Sequence, residues 1–324
     1  MIRNSWYAVL SSREIKNNKL LSAKRLGKNL VFFRGKDGEL SCFMDKCLHR
    51  GAALSGGKIK ENCIQCPFHG IEYDKDGKCV FIPSEGKSSE KDFSRFNLEK
   101  FPVKEVNDMI YLWYGDEEVI GEPDYFDEVS KEGYVYSELV DHWRVHYSRV
   151  IENQMDVSHL PFVHYNTIGR GNKTLVNGPK TIWIDENTLQ TSANNEVDRG
   201  QTPLKSEESV IKSTNLKFKF PNSWLNTISE KIMVTAYFVP VDQENTLLYI
   251  RFYNRITPIK VLNKLISYIA KFANLKIERQ DKKVVETQMP KESSLRMGEM
   301  LLSADKAIIE YRKRREKLKN NIEN

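Results

Sequence analysis

The sequence predicts an α+β protein in two parts: an all-β region over residues 1–117, then a helix-bearing antiparallel sheet over residues 118–324. Three observations predict it. Short β-rich runs separated by Gly- and Asn/Asp-containing turns fill the first part. Helix-length segments free of Gly and Pro gather in the second part. The length of 324 residues suits two domains at roughly 150 residues each.

Taken in order, Leu30–Phe33 is a β-rich run, Gly35–Gly38 and Gly56–Gly57 punctuate the chain, and Asp74–Gly77 closes a hairpin. Val103–Val106 and Met109–Trp113 read as a strand pair turned through Asn107 and Asp108. The acidic, Pro-containing stretch from Asp116 to Asp127 is the connection. His142 to Ser158 holds no Gly or Pro and is expected to be one helix ending near Leu160. Pro161 cannot donate its backbone N–H and disfavours helix in the residue before it. Strand-like alternation returns in Thr181–Ser192, Lys217–Phe220, and the hairpin Met233–Pro240 with Asn245–Ile256. The tail is expected to form helices over Val261–Leu275, Glu278–Met289 (stopped by Pro290) and Ser303–Lys319.

Composition removes several function classes. With 40% hydrophobic and 29% charged residues and a mean hydropathy of −0.54, the chain has an ordinary globular composition. No apolar run approaches the ~20 residues of a spanning helix, and Met1–Leu20 lacks the apolar stretch of an export signal. A cytoplasmic location without a membrane partner is therefore expected. The balance of 50 Lys plus Arg against 44 Asp plus Glu is too even to imply nucleic acid. Much of the excess lies in Arg312–Arg315, Lys317 and Lys319, expected to be the solvated face of a terminal helix, with a docking patch for an acidic partner as the alternative. Five cysteines, an odd number without an export signal, point away from disulfides and toward metal or redox roles.

Two constellations carry chemistry. In the first, Cys47-Leu48-His49-Arg50-Gly51 is answered by Cys66-Pro67-Phe68-His69-Gly70. Zinc sites more often pair Cys with Cys and His with His. Here each glycine-flanked turn offers one thiolate and one imidazole, which a Rieske 2Fe-2S centre requires: two Cys on one iron and two His on the other. Cys42, Cys63 and Cys79 are left over as ordinary thiols. In the second, Asp156 and His159 lie three apart, about 60° around a helix, and His164 follows the proline break. Two imidazoles with one carboxylate make the facial triad of non-haem Fe(II) sites, which leaves open positions. A further ligand is needed to complete it.

These motifs resemble the Rieske non-haem iron oxygenases, in particular oxygenase components of the vanillate O-demethylase, dicamba monooxygenase and saxitoxin-pathway hydroxylase type. The resemblance rests on Trp6-Tyr7, the run from Cys66 to Tyr73, and Asn-x2-Asp-x2-His-x4-His from Asn153 to His164. It implies a Rieske 2Fe-2S domain at 1–117 holding its cluster through Cys47, His49, Cys66 and His69. It also implies a helix-grip, START-like catalytic domain at 118–324, usually in a homotrimer. Extra cysteines of the respiratory Rieske proteins are replaced by Ala52 and Phe68, which implies the oxygenase or ferredoxin type. Mononuclear Fe(II) would sit on His159, His164 and a late-helix carboxylate, Asp281, with Glu286 as the alternative. By the same resemblance Asp156 is no ligand but a bridge from His159 to His69 of the partner subunit, and Asn153 shapes the cavity near the iron. His142 and His146 have no role there.

The chain has no Gly-rich dinucleotide fingerprint, so electrons are expected from a flavin/iron-sulfur reductase or ferredoxin. The implied function is a terminal oxygenase that uses O2 to hydroxylate, demethylate or dihydroxylate a small organic substrate. The alternative is a Rieske electron carrier or ligand-binding protein without oxygenase activity. Trp183, Phe218, Phe220 and Tyr237 are alternating aromatics, read as core rather than as substrate contacts.

Overall fold

Antiparallel backbone pairing organises the computed structural model, described over residues 1–320, into sheets of three, seven, two, four and four strands. The chain divides into two units, Asn4–Pro123, and Asp124 onward together with Met1–Arg3. No helix among the described residues is long and apolar enough to cross a membrane.

The first unit is all β apart from short 3-10 turns. One sheet joins Ser5–Ser11, Met109–Tyr114 and Val103–Val106. Its hairpin turns through Asn107 and Asp108 at φ 51° and 59°, the left-handed pair that a two-residue type I′ turn demands. A second sheet joins Lys19–Arg25, Lys28–Arg34, Leu40–Met44 and Lys100–Phe101. The third, Lys58–Lys60, Cys63–Gln65, Glu72–Tyr73 and Cys79–Phe81, is short-stranded and carries the first constellation at its ends. Val31, Phe33, Phe43, Leu54, Ile64 and Tyr73 form one core with Cys47 and Cys66.

The second unit is built on a seven-stranded sheet. Its order is Val135–Trp143, Thr246–Asn254, Ile232–Pro240, Ser223–Ser229, Asn215–Lys219, Thr188–Ser192 and Thr181–Trp183. Its helices are α1 (Tyr147–Met155), α2 (Leu160–Val163), α3 (Lys260–Val285) and α4 (Lys306–Asn320). Phe218, Phe220 and Tyr237 are buried, and Phe218 and Phe220 pack on Tyr311 of α4 at ring-centroid distances of 5.3 and 5.6 Å. Trp183 stays 37% exposed and stacks on Phe220.

Four local expectations are corrected. The expected helix from His142 begins only at Tyr147, because strand pairing holds the chain extended as far as Trp143, opposite Thr246. His146 then caps α1 by accepting the Ser148 N–H, and its burial drives the imidazole pKa down to about 3. α1 ends at Asp156, whose Oδ1 accepts from Ser158 N at 2.6 Å and Oγ at 2.7 Å, and Pro161 lies in the first turn of α2, where its missing N–H costs nothing. α3 is one 26-residue helix rather than two. Arg312 and Arg315 are not solvated: both are buried, Arg312 on Glu152 (2.7 and 2.8 Å) and Arg315 on Glu292 (2.6 Å). The strand Ser223–Ser229 went unread because its entry is polar; buried Asn222 donates its side-chain N–H to the Phe238 carbonyl.

Candidate metal centres

In the first unit the two Cys/His turns share one backbone plan. Cys47 N–H donates to Ala52 O (2.8 Å) and Gly51 N–H to Cys47 O (2.9 Å); Cys66 N–H donates to Ile71 O (2.8 Å) and Gly70 N–H to Cys66 O (3.1 Å). Gly51 and Gly70 hold φ of 76° and 72°, which a side chain would strain. The sequence thus folds each loop so that the cysteine points inward and the histidine outward. Cys47 and Cys66 are 1% and 2% exposed, whereas His49 and His69 lie at the surface with ring centroids 4.5 Å apart.

Polar groups converge on the sulfurs. Tyr73 OH lies 3.2 Å from Cys47 Sγ. Burial pushes the Cys66 thiol up, while the backbone N–H groups of Phe68 and His69 pull it the other way. N–H groups aimed at a sulfur are the contacts that tune a cluster's potential. Among the described residues, the set of three or more donors within one ion's reach lies elsewhere, at His159, His164 and Asp281. The paired loops therefore suit a two-iron cluster better than one tetrahedral zinc. Cys42 and Cys79 are buried and Cys63 half-buried.

In the second unit, ligand atoms of His159, His164 and Asp281 lie within 4.8 Å of one another. Asp281 Oδ1 is 3.3 Å from His159 Nε2 and 3.0 Å from His164 Nε2. Three parts of the fold meet here: His159 N-caps α2, His164 C-caps it, and Asp281 projects from α3. Glu286, the alternative carboxylate, does not join them; its Oε1 accepts the Arg144 N–H at 2.7 Å. Asn153 donates from Nδ2 to Asp281 Oδ1 at 3.3 Å.

Each imidazole turns Nδ1 toward a side-chain oxygen. Gln280 Oε1 lies 3.0 Å from His164 Nδ1; because that oxygen can only accept, Nδ1 carries a hydrogen, and Nε2 is the atom turned toward Asp281. His159 Nδ1 is buried without a well-formed hydrogen bond and faces Asp156 Oδ2 at 3.4 Å. Two imidazole Nε2 atoms and a carboxylate oxygen converging at about 3 Å make a donor set that fits a metal ion. Asp156 meets His159 through the turn that ends α1, not along a shared helix face.

Electrostatics follow the same contacts. Burial pushes the Asp281 carboxyl up, but hydrogen bonds and charge from His159 and His164 outweigh it and hold the group below its ordinary range. Burial lowers the His159 imidazolium, yet Asp156 and Asp281 prevail and raise it to about 9. Exposure is asymmetric: His164 and Asp281 side chains are 1% and 3% exposed, while His159 and Asp156 reach 15% and 21%. That outer edge borders a cavity of about 390 Å³, also lined by Asn153, Val285, Met300 and Arg312.

Comparison with known proteins places both constellations in one context. Residues 5–102 match the model of the Rieske [2Fe-2S] domain, and residues 143–321 match that of the vanillate O-demethylase oxygenase C-terminal domain. The chain belongs to the Rieske oxygenase family. Similar curated proteins include chlorophyllide a oxygenase of Arabidopsis thaliana, 31% identical over 52% of this chain and 30% of that protein. Another is the oxygenase component of chloroacetanilide N-alkylformylase from Rhizorhabdus wittichii, 30% identical over 59% of this chain and 54% of that protein. The chain thus spans about a third to a half of the length of these relatives. The solved structure of NdmA from Pseudomonas putida CBB5 shares the fold at a TM-score of 0.80 and 23% identity, over 99% of this chain and 92% of that one.

Two groups in this Rieske oxygenase-family chain escaped the sequence reading. Gln280 fixes His164 while accepting from Thr167 Oγ1 (2.8 Å) and donating to Asn166 Oδ1 (2.7 Å). Glu278, one turn before Asp281, is buried; burial first, then the Asp281 and Asp141 charges, push its carboxyl well above the ordinary range. Three-residue spacing from Asp281 was the available signal.

Proposed function

We propose that the chain is the terminal oxygenase of a Rieske non-haem iron system, taking electrons from a separate reductase or ferredoxin to oxygenate a small organic substrate in the cytoplasm. One observation carries the reading. Two donor sets of different chemistry, Cys/His pairs and a His/His/Asp triad, occur in the two units of a chain of this family. A carrier or binding protein would need the first set alone, so the convergence of His159, His164 and Asp281 speaks against that alternative.

In this reading Cys47, His49, Cys66 and His69 hold a 2Fe-2S cluster, and His159, His164 and Asp281 hold Fe(II). When bound, the cluster supplies one-electron storage and the iron supplies oxygen activation. The chain's own residues set the conditions. Gln280 presents His164 through Nε2. Asp156 faces His159 Nδ1 from the exposed edge, placed to accept its N–H and orient the ring, where His69 of the partner subunit would reach it in a homotrimer. Asn153 orients Asp281 by donating to it. Burial of His164 and Asp281 keeps bulk water from the inner side of the triad.

A substrate screen coupled to O2 uptake tests the function: uptake that requires both reductant and substrate is expected, and reductant-driven uptake indifferent to every substrate and to iron contradicts it. Gln280→Leu is expected to weaken iron retention by about 10–100-fold. Iron removal by a chelator, followed against an unchanged cluster spectrum, reads that loss; wild-type retention would show that Gln280 does not position His164.

A further inference from the structure

α3 is turned inside out. Its buried positions are polar or charged, namely Asn263, Ser267, Glu278 and Asp281, until Val285 at its last turn. Its outward face is apolar: Val261 (73% exposed), Leu262, Leu265, Tyr268, Ile269 and Phe272 follow at i, i+1, i+4, i+7, i+8 and i+11, the stripe of an amphipathic helix. Such a stripe normally faces a core. Here the orientation is locked by buried hydrogen bonds to the sheet. Asn254 Nδ2 donates to Ser267 Oγ at 2.6 Å and to Asn263 O at 3.0 Å, and Asn263 Oδ1 accepts the Thr257 N–H at 2.9 Å. Asp281, on the same inward face, must point at His159 and His164. Rotating α3 to bury its stripe would break all of these contacts.

The charges beside the stripe have one sign. Lys260, Lys264 and Lys271 lie along one flank, Lys276 closes the far end, and no Asp or Glu occurs from Lys260 to Ile277. None of these lysines makes an ion pair among the described residues. At the head of the helix a cavity of about 320 Å³ is lined by Lys231, Arg255 and Lys260 with Ile256 and Pro258, and no carboxylate lines it. Arg255 donates to the Glu230 carbonyl at 3.0 Å. A second copy laid face to face on this stripe across a two-fold axis would set lysine rows against one another with no acid on the stripe to answer them.

We propose that the outward face of α3 docks on an anionic phospholipid bilayer, with the apolar stripe in the acyl boundary and the lysines on the headgroups. Residues 260–277 span about 27 Å at 1.5 Å per residue, lying in the plane of the surface rather than crossing it. Lys231, Arg255 and Lys260 offer the adjacent cavity to a lipid phosphate. Composition averaged over the whole chain hides this face, and bilayer docking departs from the expectation of no membrane partner.

Co-sedimentation of the purified holoprotein with vesicles of phosphatidylcholine alone, and of phosphatidylcholine mixed with phosphatidylglycerol, tests the proposal. At low salt the mixed vesicles are expected to bring down at least about 10-fold more protein than the neutral ones, an advantage that added salt removes. Leu265→Glu with Phe272→Glu should abolish binding to both vesicle types. Lys264→Gln with Lys271→Gln should lower the anionic preference about 10-fold and flatten its salt dependence. Lys264, Leu265 and Phe272 are exposed and Lys271 is half-buried, and an unchanged cluster spectrum reports that the variants are folded. Protein that stays in the supernatant with both vesicle types overturns the proposal. So does binding that both variants retain, or self-association in sedimentation velocity that the Glu variant loses while vesicle binding persists.

Discussion

Asp281→Ala is expected to leave the cluster spectrum intact, lower iron from about three to about two atoms per chain, and reduce substrate-dependent turnover to background. The physical reason lies in the donor set. Asp281 Oδ1 is the anionic oxygen that both His159 Nε2 and His164 Nε2 face, at 3.3 and 3.0 Å. Its removal leaves two imidazoles as the remaining donors, too few for a facial triad. The neighbouring carboxylates are placed otherwise: Glu286 is engaged by the Arg144 N–H, and Glu278 is buried with its carboxyl pushed up by burial and by the Asp281 and Asp141 charges. Iron analysis beside turnover checks this; full iron and full activity would remove Asp281 from the site.

Asp156→Asn is expected to separate metal loading from turnover. Asparagine is nearly isosteric and its oxygen can still accept from His159 Nδ1, so both metals should remain. What disappears is the charge. Burial pushes the Asp156 carboxyl up, yet His159 and Ser158 hold it below the ordinary range, so it is an anion at neutral pH. That anion stabilises the histidine it contacts and lies at the partly exposed edge of the triad, 21% open. With the amide, product formed in a single turnover by pre-reduced protein should slow by about 10–100-fold or more, with iron content unchanged. An unchanged single-turnover rate would reject the bridging role.

Legibility in the sequence tracked the range of the interaction. The fold class was readable because alternation and turn residues such as Asn107-Asp108 act locally, and the two ligand motifs stood out because Cys47–Gly51, Cys66–Gly70 and Asn153–His164 are short contiguous runs. Interactions across the chain were not readable. Gln280 meets His164 from a position 116 residues away, and Arg312 finds Glu152 across 160. The start of α1 was misread for the same reason: helix propensity over His142–Tyr147 is overruled by pairing of Val135–Trp143 with Thr246–Asn254. The inverted face of α3 was invisible because apolar periodicity reveals a stripe without saying which way it points.

Quantifying iron, acid-labile sulfide and zinc in the purified protein tests the central claim most directly. The account predicts about three irons and two sulfides per chain with no stoichiometric zinc. Two irons and two sulfides, with nothing bound at His159, His164 and Asp281 after anaerobic Fe(II) loading, would contradict the oxygenase reading. Zinc without sulfide would contradict the cluster as well.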